Sequence, residues 1–106
     1  MVRSDVVNVN IPLMVKLYKN SGVAVFSIPS YIAKTFDIRR GDVIVFKVAD
    51  VRMSGIVSGS KRLVYIRKNY MRFLNDQIGS NVEIILESVY RPRGGDANAE
   101  EVVGKV

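Results

Sequence analysis

The chain has 106 residues, 48% hydrophobic and 25% charged, enough for one domain around one core and too few for two. It contains no cysteine and no histidine, which excludes disulfides, thiol nucleophiles, Cys/His-ligated zinc and imidazole proton transfer, so neither catalysis nor a cofactor is expected. Sixteen Lys and Arg against ten Asp and Glu give +6 and a pI near 9.8, a charge that suits a polyanionic partner and equally suits simple solubility.

Residues 1–10 are polar apart from Val6, Val7 and Val9, and either an edge strand or an ordered arm fits them. Leu13, Val15 and Leu17 alternate with Met14 and Lys16, which predicts a strand. Lys19-Asn20-Ser21-Gly22 is turn chemistry, and Val23 to Ile28 then completes a hairpin. Pro29 suits the first turn of a helix, where its missing N–H goes unnoticed. Ile28, Ile32 and Phe36 form one apolar stripe, with Lys34 pointing elsewhere. That helix has room for two turns before Arg39-Arg40-Gly41-Asp42, so tertiary contacts must hold it.

Val43 to Val48 reads as a strand apolar on both faces. A looser segment follows from Ala49 to Lys61, in which Gly55 could mark a bulge. Ile56-Val57 and Leu63 to Ile66 form a hairpin around Gly59. From Leu63 onward the earlier order returns 38 residues later: Val25 falls on Leu63, Ile28 on Ile66, Lys34 on Arg72, Phe36 on Leu74, Gly41 on Gly79, and Ile44 on Val82. A strand, a short helix, a glycine turn and a strand therefore recur in register. Residues 91–106 lack a usable period and read as a flexible C-terminal tail, a segment that in the alternative docks on a protein partner.

Ile28-Pro29, Ile32, Phe36-Asp37-Ile38, Gly41-Asp42, Ile44 and Phe46 together form a pattern, preceded by Asn20-Ser21-Gly22 and Ala24-Val25. Over residues 14–48 it resembles the AbrB/MazE/SpoVT group of swapped-hairpin DNA-binding domains. Those domains commonly complete their fold by dimerising, each chain lending a hairpin to the other. Here the resemblance implies a mainly β fold with two short helices, a small pseudo-twofold cradle-loop barrel of the swapped-hairpin or double-psi type. It would occupy residues 1–90 as two β-α-β units, about 13–48 and 55–89, with homodimerisation optional. The chain departs from the group at Ser27, where a basic residue often precedes Ile-Pro, and in a first hairpin two residues longer than usual. Arg67 also replaces the second-unit proline, and Ser80 the turn aspartate.

The densest basic cluster is Lys61, Arg62, Arg67, Lys68 and Arg72, interleaved with Tyr65 and Tyr70. Such a run can neutralise phosphates while a tyrosine stacks or hydrogen-bonds; the plainer reading is a solvated face over core tyrosines. Lys16 and Lys19 near the first hairpin, with Arg39 and Arg40 at the glycine turn, are second-rank candidates, because the resembled group approaches DNA with loops and hairpin ends. Asp37 and Asp42 flank one loop with neither a histidine nor a third carboxylate nearby, so Asp42 reads as a turn residue capping local N–H groups.

A DNA-binding transcription regulator or architectural factor is the first expectation, gripping duplex DNA and located in the cytoplasm with the nucleoid. A non-catalytic protein-binding adaptor, or an accessory subunit of a nucleic-acid-processing complex, is the second. An antitoxin-like protein with a partner-binding tail is the third. No apolar run approaches the roughly 18 residues of a membrane span, and Met1 to Asn8 shows no signal-peptide pattern.

Overall fold

A computed structural model describes residues 5–59 and 62–91. Seven strands build one antiparallel sheet: β1 (Asp5–Lys16), β2 (Tyr18–Asn20), β3 (Val23–Ser27), β4 (Val43–Val48), β5 (Val51–Ser58), β6 (Leu63–Ile66) and β7 (Asn81–Arg91). Two helices interrupt them: α1 (Ser30–Thr35) after β3 and α2 (Met71–Leu74) after β6, the latter flanked by 3-10 turns at 68–70 and 75–77. The spatial order is β1-β7-β4-β5-β6-β3-β2. Its two ends, β1 and β2, are consecutive stretches of chain joined at the fully buried Leu17.

The first hairpin follows from its turn. Ser21 and Gly22 both have positive φ (56° and 82°), the requirement of a two-residue type I′ connection, and Asn20 consequently faces Val23. Pro29 stands at the cap of α1, one residue before the position its sequence context predicts, and its carbonyl accepts the N–H groups of Ile32 and Ala33. Ile28 and Ile32 are buried and Phe36 half-buried, while Lys34 is exposed, as the stripe requires.

The recurrence 38 residues apart is present in the backbone. Pro29 (φ −56°, ψ 143°) and Arg67 (φ −59°, ψ 141°) open the two helical segments with matching angles. Gly41 and Gly79 take φ of 92° and 89° in the turns that follow. Strand pairing repeats as well. Leu13 and Val15 of β1 face Ile84 and Val82 of β7, just as Met53 and Gly55 of β5 face Phe46 and Ile44 of β4. Each half thus lays its leading strand against the closing strand of the other. The glycine turns do the same: Gly41 N–H donates to Val57 O (2.8 Å) and Val57 N–H to Asp42 O (2.9 Å). Gly79 N–H likewise donates to Leu17 O (2.7 Å) and Leu17 N–H to Ser80 O (3.1 Å).

One region settles an alternative left open by the sequence, and two differ from its expectations. The edge-strand alternative holds from Asp5 onward, and β1 passes through Pro12 unbroken, because proline is tolerated at a sheet edge. The supposedly loose segment after Ala49 is the regular strand β5. Its periodicity is hidden because a strand between two neighbours buries both faces, and Met53, Ser54 and Gly55 are all buried. Arg91, grouped with the tail by composition, is the last residue of β7; residues 92–106 lie outside the described part.

One core gathers side chains from β1, β3, β4, β5, β6 and β7 with Ile32 and Ala33 of α1 and Leu74 of α2. At its centre the rings of Phe26 and Phe46 meet edge to face, 5.2 Å apart at 80°. Gly55 does not form a bulge: it pairs with Ile44 on one side and Ile66 on the other. A Cβ there would lie 2.7 Å from Val64 Cγ1 and 2.8 Å from Tyr65 O. Because the second obstacle is backbone, Gly55→Ala should destabilise the fold by about 1–3 kcal/mol. Urea denaturation reads this directly, and a loss below about 0.5 kcal/mol would refute the close approach.

Candidate nucleic-acid interface

Eight of the nine basic residues singled out in the sequence lie among the described residues. Lys61 lies outside the described residues. Lys68 and Arg72 are exposed, the first in the 3-10 turn before α2 and the second on α2 itself. Arg72 lies over the exposed ring of Phe73, its guanidinium carbon 4.9 Å from the ring centroid. Lys16 and Lys19 are exposed on either side of Tyr18, and the Lys16 ammonium stands 5.7 Å from the centre of that half-exposed ring. Two cation–aromatic pairs are therefore displayed, one on the first hairpin and one on the second helix.

Arg67 is half-buried and spends its backbone N–H on Ser54 O (3.1 Å), so its position serves the fold before any ligand. Tyr70 is buried, the core role weighed for it above, and it cannot stack on a base. Tyr65 is half-buried, with its hydroxyl accepting the Asn20 side-chain amide at 3.1 Å across the hairpins. Arg39 is exposed and bound to Asp37, donating to both carboxylate oxygens (3.2 and 2.7 Å). That hydrogen bond, and the charge behind it, hold the Asp37 carboxyl below the ordinary carboxylate range.

Arg40 and Arg62 are brought together. Both line a cavity that α1 shares with Gly59, and with them stands Lys34, which the helical stripe placed off its apolar side. Nothing in the sequence links Arg62 to the first unit; the crossing of the hairpins does.

The buried charge of the domain is also non-local. Asp42 is 2% exposed, at the head of β4. It accepts the N–H of Arg39 (2.8 Å), the local capping expected of it, but also Arg91 Nε (3.2 Å) and Nη2 (3.0 Å) from the end of β7. Arg91 further donates to the carbonyl of Asp37 and lies 3.6 Å from its carboxylate. The second-unit counterpart of Asp42 is Ser80, which carries no charge to neutralise.

Against β4, β7 bulges at Glu87, since Ser88 faces Val45 and Leu86 faces Phe46; against β1 the extra residue lies in β1, where Asn8 faces Ser88 and Ile11 faces Leu86. The bulge aims Glu87 across β4 at Arg52, whose Nε and Nη2 reach its two oxygens at 2.7 and 3.3 Å. This pair lowers the Glu87 carboxyl and raises the Arg52 guanidinium from their ordinary values. It lines a polar hollow with Asn8 and Asn10 and leaves no acid there uncommitted. Among the described residues no three carboxylates gather into a metal-binding group, and no helix is long and apolar enough to cross a membrane.

No family model matches the sequence, and no curated protein matches it. The fold does have a solved counterpart. The solution structure of PHS018 from Pyrococcus horikoshii superposes with a TM-score of 0.59 at 18% identity, covering 85% of this chain and 99% of that one. At that identity the likeness concerns the fold alone.

Removing Arg91 would leave Asp42 buried with one backbone donor. Arg91→Ala should therefore cost about 2–4 kcal/mol, and Asp42→Asn combined with Arg91→Met should recover most of the loss. Chemical denaturation of the single and double variants checks both statements; equal losses in the two would contradict the buried-charge explanation.

Proposed function

We propose that the chain is a DNA-binding protein, an AbrB-like regulator or architectural factor whose two units form a pseudo-twofold cradle-loop barrel within one polypeptide. The reciprocal pairing of each glycine turn with the opposite hairpin supports the swapped-hairpin form, since it is the arrangement two separate chains would make on dimerising. The all-antiparallel sheet favours the same choice over a double-psi form.

The observation that carries the functional reading is the state of the surface cations. Lys16, Lys19, Lys68 and Arg72 are exposed and form no ion pair among the described residues, and two of them stand beside exposed aromatic rings. Cations of that kind neutralise backbone phosphates, and the neighbouring rings offer faces for bases or sugars. Arg39 and Arg67 are weaker members of the set, being engaged by Asp37 and by the fold respectively. Sequence preference would come from hairpin residues entering a groove.

The adaptor reading stays second. It is favoured by the outer edge of β1, which has no neighbouring strand among the described residues and exposes Val6, Val7 and Met14.

Binding to a random duplex, followed by fluorescence anisotropy against salt, separates the two. The DNA reading expects a log–log slope of about −0.9 per phosphate contacted. The quadruple variant Lys16→Ala/Lys19→Ala/Lys68→Ala/Arg72→Ala should flatten that slope by about 2–4. Absence of binding even at low salt would eliminate the DNA reading.

A further inference from the structure

The cavity that joins Arg40 to Arg62 has a volume of about 350 Å³ and takes its wall from both units: Ser30, Lys34 and Arg40 from the first, Arg62 from the second. We propose that it is a binding site for a phosphate-type oxyanion, either inorganic phosphate or a small phosphate monoester. This inference does not depend on the DNA reading.

Three cations face one hollow, and none of Lys34, Arg40 and Arg62 is ion-paired among the described residues. Held together they repel one another, and a bound dianion removes that repulsion. One carboxylate shares the wall, Asp37, but it is already committed to Arg39 at 2.7 Å and approached by Arg91 at 3.6 Å. The cavity is therefore positive on balance.

Arg62 supplies the second observation. Its Nε is buried and meets no hydrogen-bond partner among the described residues. A buried donor left unmet is costly, and a planar guanidinium fork matches phosphate oxygens pairwise. The backbone that carries the fork is anchored, since Arg62 (φ 54°) offers its carbonyl to Ile28 N–H at 3.0 Å. Lys34 adds a point charge from α1, and the Ser30 hydroxyl a further neutral donor. The size limits the ligand. Small-molecule sites span roughly 300–1,000 Å³, and this hollow lies at the lower end, suited to a phosphate with at most a small attached group.

The test is an amide NMR titration of the full chain with sodium phosphate, ionic strength being held constant with sodium chloride. Saturable shifts should be confined to Ser30–Arg40 and the β5–β6 connection. In Arg40→Gln/Arg62→Gln, half-saturation should rise by about tenfold or more, whereas Lys68→Gln/Arg72→Gln should leave it unchanged. Ribose 5-phosphate run in parallel distinguishes the sources: tighter binding than inorganic phosphate identifies a monoester, and weaker binding identifies the free ion. Shifts that fail to saturate, or that persist equally in the Arg40/Arg62 variant, would overturn the proposal. So would a response at these amides to duplex DNA with none to either phosphate. Loss of duplex binding in a separate isotherm would count against the DNA reading alone.

Discussion

The N–H of Gly41 is satisfied by the carbonyl of Val57, and the N–H of Gly79 by that of Leu17. Each glycine turn lies in one half of the chain and its hydrogen-bond partner in the other. Both turns need positive φ, a conformation that glycine reaches without a Cβ penalty. Neither helical segment is long enough to stand alone, so strand, helix and turn become stable only when the other half is in place. The two units are therefore not small domains in series. They are complementary halves of one sheet, in which β1 and β2 carry the chain from one end of the strand order to the other.

Departures from the repeat concentrate where the chemistry is. The first turn carries a buried aspartate and the second an uncharged serine. The extension of β7 beyond the repeat delivers Arg91 to that aspartate, and its bulge delivers Glu87 to Arg52. These contacts consume charge in one region and leave it unspent in two others: the exposed Lys16–Tyr18 and Arg72–Phe73 pairs, and the cavity shared by Lys34, Arg40 and Arg62. A basic chain with no histidine or cysteine thus presents cations in two settings, an open surface and a shallow hollow.

The repeat was legible in the sequence because its markers are local: a hydrophobic alternation, Ile28 and Ile66 before the two helical segments, and glycines 38 residues apart. The first hairpin was legible for the same reason, since Asn20-Ser21-Gly22 demands a particular turn. β5 was obscured because Ser54 and Gly55 are buried without being apolar, and only the contact with Val64 and Tyr65 explains the glycine. The cavity was half visible: Arg40 and Arg62 were recognisable as basic, but their meeting depends on which hairpin crosses which turn. Arg91 was invisible as a structural residue, because its partner Asp42 lies 49 positions earlier and the register of β7 against β4 decides the match. Tyr70 looked available in a basic run, whereas its ring completes the core.

Native-state hydrogen exchange on the four clasp amides tests the interdependence of the halves most directly. If each half is held by the other, the N–H groups of Leu17, Gly41, Val57 and Gly79 exchange only through global unfolding, with free energies agreeing within about 1 kcal/mol of one another and of the denaturation value. If the Gly41–Val57 pair opens at a markedly lower free energy than the Gly79–Leu17 pair, the halves unfold separately, and the account of a single interlocked structure is wrong.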